Sequence, residues 1–274
     1  MIQDFISGLL AGPPLKPLHF MGRRGGPLFW LMVMLFLAAP AAQAGAAAKA
    51  RPNKVKLGEV TVSLAGPEGL VRVDGKNAQA DDYISKTAPK LKFQVLALYA
   101  DAGGWAGFVT AAAGRRPAAI PRFALLGTTR SMPEKHYDQA SLRREFARYE
   151  NWFSLAAGNR VLAALLTSQG NRKLTEVMGV DIGFEFKMDQ FTRKFDQGSD
   201  SLSVGARVGF NVFGQPSKVF LTVTALAVGD KIVFLAYFEK DGQEIRDIQD
   251  QAKAWRRNMA RLNADQYRPE AASK

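Results

Sequence analysis

Two apolar runs joined by Gly229-Asp230 constrain the fold of this chain more than any other feature of its sequence. Residues 219–228 read VFLTVTALAV and residues 231–238 read KIVFLAYF, and both are rich in β-branched and aromatic residues. Two such runs separated by two residues, the first of them a glycine, predict a β-hairpin with a type II′ turn. Because each run is apolar on both faces, we expect the hairpin to lie in the middle of a sheet.

An amphipathic helix is predicted directly after this hairpin. Asp241 is the expected N-cap residue, and Glu244 follows three positions later in the arrangement of a capping box. Acidic residues lie early in the helix and arginines lie late, as the helix dipole favours. The apolar stripe that we expect to lie against the sheet consists of Ile245, Ile248, Ala252, Trp255, Met259 and Leu262.

Further strands and one long helix are predicted upstream of the hairpin. Alternating or continuous apolar residues predict strands at 60–64, 70–73, 92–100, 122–129, 182–188 and 202–212. Apolar residues at helical spacing predict a long helix from residue 138 to about residue 168. The glycines of residues 103–107 predict a loop that runs to Pro121, and the polar residues 195–201 predict a connection.

This order of elements predicts an α+β fold. We expect a mainly antiparallel sheet with a long middle helix and a C-terminal helix packed on it, arranged as an α/β/α sandwich. Residues 54–264 are expected to form one domain, between a flexible segment at 45–53 and a flexible tail at 265–274.

The stretch VFLTVTALAVGDKIVFLAYFEKDGQEIRDIQDQAKAWRRNMARLN, from residue 219, resembles the close of PsbP-like α/β/α sandwich domains. There, two central antiparallel strands are followed directly by a terminal amphipathic helix. The earlier segments GLVRVDGKN and RFALLGTTRSMPEKHYDQASLRREFARYENWF are similar to the same layout, as found also in exported bacterial proteins. The resemblance implies an accessory or binding module without catalysis, and it supplies no catalytic residues.

Residues 21–44 have the three parts of a secretory signal peptide in the required order. Arg23-Arg24 is basic, residues 28–39 are apolar, and Ala42-Gln43-Ala44 is a small-x-small cleavage site that would leave Gly45 as the mature N-terminus. The apolar run is shorter than the roughly 20 residues that span a bilayer, so we expect cleavage between Ala44 and Gly45. Residues 1–20 are either an incorrectly assigned start ahead of Met21 or a long basic region of the signal.

The chain has no cysteine, so a lipidated cysteine is excluded and a periplasmic or secreted location is expected. The formal net charge is +12, and since three Lys/Arg and one Asp precede residue 45, the mature domain keeps about +10 (34 basic and 24 acidic residues), which favours anionic partners. The basic residues form separate small clusters, such as Arg115-Arg116 and Arg256-Arg257, with no specific nucleic-acid motif. One alternative function is therefore a basic module that adheres to an anionic membrane surface or to lipopolysaccharide.

Catalytic chemistry has little support in the sequence. His136 is the single histidine after the signal, and we expect it to be a solvated loop residue. We assign no catalytic residue, metal ligand or cofactor. A second alternative is a carboxylate-dependent hydrolase, because Asp181, Glu185 and Asp189 share one face of a predicted strand. A water-facing strand accounts for the same pattern.

The predicted contact surface consists of Trp105, Arg115, Arg116 and Arg122. A tryptophan among glycines can reach a partner, and interfaces are enriched in Trp and Arg. The alternative is that Trp105 folds over the edge of the sheet. The sequence as a whole therefore predicts a non-enzymatic exported domain that binds a protein partner or a component of the cell envelope.

Overall fold

The computed structural model describes residues 53–75, 81, 93–113, 121–158, 191–212, 215–240, 242 and 244–266. The predicted signal peptide and its cleavage site between Ala44 and Gly45 lie outside these residues. So do the strand predicted at 182–188 and residues 159–168 of the predicted long helix.

Within these ranges the chain alternates strands with a few helices. The strands are β1 (Lys54–Leu57), β2 (Val60–Ser63), β3 (Val71–Arg72), β4 (Phe93–Ala100), β5 (Phe123–Thr129), β6 (Phe191–Gln197), β7 (Ser201–Val212), β8 (Gln215–Val228) and β9 (Lys231–Lys240). The α-helices are α1 (Ala102–Ala113), α2 (Gln139–Gly158) and α3 (Ile245–Leu262). Short 3₁₀ helices lie at Met132–Glu134 and Ala264–Gln266.

Seven strands form one sheet in the order β3-β4-β5-β9-β8-β7-β6. Every neighbouring pair in it is antiparallel, so the predicted α+β fold with a mainly antiparallel sheet is confirmed. Strand β9 is fourth of seven and β8 is fifth, which confirms the central position of the hairpin. Val228 pairs with Lys231, and Gly229 between them has a φ of 59°, a backbone conformation that favours glycine.

Successive residues of β9 contact different helices. Leu235 and Tyr237 pack in one buried cluster with Trp255 and Met259 of α3. Phe234, which points to the other face of the strand, contacts Tyr149 of α2 with 5.7 Å between the ring centroids. Of the predicted apolar stripe, α3 buries Ile248, Ala252, Trp255 and Met259, and Ile245 is partly buried. Leu262 was predicted in the stripe but is 39% exposed, because it lies at the margin of the buried face in the last position of the helix.

Strands β1 and β2 form a separate two-stranded sheet that packs against α3. The Ser63 N–H donates to Asn263 Oδ1 at 2.7 Å, and Asn263 Nδ2 donates to the Ser63 carbonyl at 3.0 Å. The Trp255 indole N–H donates to the Ala65 carbonyl at 2.6 Å. Side chains from α3 and its C-cap thus satisfy main-chain groups on the edge of β2 that faces away from β1.

The glycine-rich segment after β4 is helix α1 from Ala102 to Ala113, so the predicted loop is wrong over these residues. Asp101 Oδ2 accepts a hydrogen bond from the Gly104 N–H at 2.8 Å, and the Trp105 N–H donates to the Asp101 carbonyl at 2.9 Å. Asp101 therefore caps the helix. The cap and the alanines of this segment outweigh the low helix propensity of its glycines.

The connection predicted at 195–201 is also shorter than expected. Residues 195–197 belong to β6, and the turn is closed by the Gly198 N–H, which donates to the Ser201 carbonyl at 2.9 Å. Strand β6 is the last strand of the described sheet, and its residues from Lys194 to Gln197 are exposed or half-buried. Its sequence therefore lacks the apolar run that marks a central strand.

The predicted capping box at Asp241 is wrong. Helix α3 begins at Ile245, and its N-cap residue is Glu244, which is extended and makes no side-chain cap hydrogen bond. Gly242 has a φ of 131°, far outside the helical region. The chain can therefore enter the helix only after this glycine.

Candidate functional site

Trp105 does not project from a loop. It lies in α1, is 3% exposed, and packs with its ring centroid 6.2 Å from that of Phe123 in β5. It therefore belongs to the packing between α1 and the sheet and is not a surface residue. Arg115 and Arg116 lie outside the described residues.

Arg122 is the predicted contact residue that the structure places in a polar environment. Its Nη2 donates to the Gly69 carbonyl at 3.1 Å, and its Nε lies 3.9 Å from Glu239 Oε2. Gly69 has a φ of 74°, as the turn before β3 requires. Arg122 thus joins this turn to the end of β9.

A buried polar group lies next to Arg122 under helix α3. The Tyr237 hydroxyl donates to Glu239 Oε2 at 2.8 Å and also contacts Gln251 Oε1 of α3. Tyr237 and Glu239 are 1% and 5% exposed. We call Arg122, Tyr237, Glu239 and Gln251 the Tyr237 cluster. Tyr237, Glu239 and Gln251 were not predicted as site residues, because they lie within an apolar strand and a helix. The available signal was a tyrosine and a glutamate two positions apart, and so on one face of a central strand.

The electrostatics of the Tyr237 cluster keep its phenol protonated. Burial raises the pKa of Tyr237, and the negative charge of Glu239 raises this pKa further, while Arg122 opposes the shift. A phenol has one proton, so the Tyr237 hydroxyl donates to one of its two acceptor oxygens at a time. The hydroxyl is therefore a hydrogen-bond donor at neutral pH and not a base. The cluster fixes the Gly69 turn and α3 on the sheet.

A second buried polar group lies at the β3 edge of the sheet. Asp74 is 2% exposed, accepts from Arg72 Nη2 at 2.9 Å and accepts from the Leu98 N–H at 2.7 Å. The neighbouring Tyr99 packs edge-on against Trp255 with 6.3 Å between ring centroids. Burial raises the pKa of Tyr99 to about 12, and the positive charge of Arg72 opposes this shift. These residues close the sheet edge and keep a charged pair out of water.

His136 is 71% exposed at its side chain, and its Nδ1 contacts Asp230 Oδ2 in the β8–β9 turn. Lys231, the first residue of β9, is fully buried and donates to the Lys135 carbonyl. The Tyr137 N–H donates to the Asp230 carbonyl at 3.2 Å. These contacts fasten residues 135–137 to the turn. His136, which was predicted to be a solvated loop residue, therefore has a structural role in these contacts.

The hydrolase alternative depends on Asp181, Glu185 and Asp189, which lie outside the described residues. Within the described part of the chain, no group of three or more His, Cys, Asp or Glu residues is placed to hold a metal ion. In that same part, no helix is both long and apolar enough to cross a membrane.

Comparison of the chain with protein-family models, with curated proteins and with solved structures finds no match in any of the three. No family assignment follows from these comparisons. The functional conclusion therefore depends on the residues of this chain.

Proposed function

We propose that the chain is an export precursor whose mature domain is a non-enzymatic module that binds a protein partner or a component of the cell envelope. The observation that carries this proposal is the sequence of basic, apolar and small residues at 21–44. Such a signal directs the domain to the periplasm or the medium, and the lack of cysteine excludes a lipid anchor on that residue.

We also propose that the domain is an α/β/α sandwich of the PsbP-like plan. Helix α3 packs against one face of the central strands through Trp255 and Met259. Tyr149 of α2 contacts Phe234, whose side chain points to the opposite face. The order of two central antiparallel strands and a terminal helix supports the same plan.

The binding role is supported by how the domain uses its polar groups. Asp74 is paired with Arg72 at 2.9 Å, and Asp196 of β6 lies 2.8 Å from Arg256 of α3. Glu239 accepts from Tyr237. These carboxylates are engaged in contacts that hold the fold together, as expected of a module whose function lies in its surface.

The export part of the proposal is tested by expressing the full chain in a bacterial host and sequencing the N-terminus of the released protein. We expect a mature species that begins at Gly45. Replacing Ala42 and Ala44 by leucine should block cleavage, because the processing site needs small residues there. The matched change Gln43→Leu between them should be processed normally. Full-length protein that stays in the cytoplasm would contradict the proposal.

The binding part is tested by crosslinking in intact cells and purifying the tagged protein. We expect discrete crosslinked species from the envelope fraction. Repeated recovery of the protein alone, together with turnover of a hydrolase substrate that is lost on changing Asp181 or Glu185, would replace this function by the hydrolase alternative.

A further inference from the structure

The outer face of helix α3 is divided by charge along its length. The first two turns contain Asp247, Asp250 and one basic residue, Arg246, whereas the last ten residues, 253–262, contain four basic residues and no acidic residue. The buried stripe of Ile248, Ala252, Trp255 and Met259 fixes which side of the helix faces solvent. The C-terminal half of α3 therefore presents positive charge outward.

Two of the four basic residues are used inside the domain. Arg256 lies 2.8 Å from Asp196 of β6, and Lys253 pairs with Asp250 at 2.9 Å. The other two, Arg257 and Arg261, are exposed and make no ion pair with any described residue. They are four positions apart, so they lie on the same face one turn from each other. Arg261 is oriented by a hydrogen bond to Asn258 at 3.1 Å.

An exposed apolar side chain follows Arg261 directly. Leu262 is 39% exposed at the margin of the buried stripe, seven positions after Trp255, whereas the exposed Ala254 lies on the same face as Arg257 and Arg261. Guanidinium groups match phosphate oxygens in geometry and charge. An exposed apolar side chain next to an arginine can enter the headgroup region of a bilayer while the guanidinium stays with the phosphates.

We infer that the exposed end of α3, formed by Arg257, Arg261 and Leu262, contacts the phosphate headgroups of an anionic phospholipid bilayer. This inference rests on the proposed function and names the envelope component. Residues 245–252 contain two acidic residues and one basic residue, Arg246, so this half of the helix is not attracted to the same surface and α3 approaches the bilayer with its C-terminal end.

The test compares two double variants in binding to vesicles of phosphatidylglycerol and of phosphatidylcholine. Arg257→Gln with Arg261→Gln removes two charges from α3, and Arg143→Gln with Arg144→Gln removes two exposed charges from α2. Glutamine keeps helix propensity, so both variants should fold, which the urea midpoint verifies. All proteins are purified from cells that express the full chain. Residues 28–39 are the same in each protein, so ratios of affinity are independent of processing.

We expect the α3 variant to bind phosphatidylglycerol vesicles roughly thirty-fold more weakly than wild type, from about 1 kcal/mol per basic residue at an anionic surface. The α2 variant should lose less than about threefold, and wild-type binding should weaken as salt rises. Equal losses in both variants would overturn the inference, because binding would then follow net charge alone. Equal wild-type affinity for the two lipids, or binding to lipopolysaccharide without binding to phosphatidylglycerol, would also overturn it.

Failure of this inference is distinct from failure of the proposed function. Protein that is exported, processed at Gly45 and crosslinked to a protein partner, but does not distinguish the two lipids, leaves the proposed function in place. Protein that is never exported, but whose α3 variant loses vesicle binding selectively, leaves the lipid contact in place.

Discussion

The two halves of helix α3 are held to the rest of the domain by different kinds of interaction. Its C-terminal half buries Trp255 and Met259, and with the C-cap residue Asn263 it binds main-chain groups of the β2 edge. Its N-terminal half contributes Gln251 to a network of side chains around Tyr237. Main-chain groups always need partners when they are buried, whereas a single hydrogen bond between side chains contributes only about 1 kcal/mol. The contacts of the C-terminal half should therefore contribute most to stability, and the Tyr237 cluster should contribute less.

Replacing Trp255 by alanine tests the contribution of the C-terminal half of α3 and should have the largest effect on stability. The change removes a side chain that is 2% exposed, its contact with the Tyr99 ring and its hydrogen bond to the Ala65 carbonyl. We expect the free energy of unfolding to fall by about 4 kcal/mol, measured by urea denaturation. The control Leu262→Ala, at an exposed position of the same helix, should change it by less than about 0.5 kcal/mol. Similar losses for the two variants would contradict the packing of α3.

Alkaline pH should destabilise the protein through Tyr99, which packs against Trp255 in the C-terminal half of α3. Its pKa is raised from 10.0 to about 12 in the fold, so between these pH values the unfolded chain loses the phenolic proton first. Stability is therefore fully present below about pH 10 and is lost as pH rises through about 12, by at most about 3 kcal/mol. Urea denaturation across this range should show a smaller loss for Tyr99→Phe than for wild type. Equal slopes would show that the ring is not buried.

Replacing Asn263 by alanine tests the hydrogen bonds between the C-cap of α3 and strand β2 without changing the apolar core. The variant leaves the Ser63 N–H and carbonyl without their partner at the C-cap of α3, which we expect to cost about 2 kcal/mol. Hydrogen exchange at the Ser63 amide should accelerate with it. The control Gln266→Ala removes a longer contact, 3.4 Å to the Thr61 N–H, and should cost less than about 0.5 kcal/mol. An unchanged Ser63 exchange rate would contradict the arrangement.

The sequence predicts the central elements of this fold well because they are apolar on both faces. Strands β4, β5, β8 and β9 follow continuous apolar runs, and the buried stripe of α3 follows helical periodicity. Strand β1 escapes prediction because KVKL is too short and too charged to show a period. Helix α1 was not predicted because its three glycines indicate a loop. The helix cap at Asp101 is recognised only from its hydrogen bonds in the structure.

The polar contacts follow a different rule, because they join residues that are distant in sequence. Arg122 stands out as a charged residue ahead of an apolar strand, but its neighbours Gly69 and Glu239 are 53 and 117 positions away. No local pattern encodes that pairing. Only the strand order, in which β5 lies between β4 and β9, brings these residues together.

The smallest effect on stability is expected at the N-terminal half of α3, in the Tyr237 cluster. Tyr237→Phe removes the hydroxyl between Glu239 and Gln251 and keeps the buried ring, so we expect a loss of about 1 kcal/mol. Gln251→Ala alone should cost a similar amount. If the two side chains share one hydrogen bond, their losses are not additive. The loss of the double variant should then be smaller than the sum of the single losses, by at least about 0.5 kcal/mol. Fully additive losses would show that Gln251 packs beside Tyr237 without bonding to it, and α3 would then be held at its C-terminal half alone.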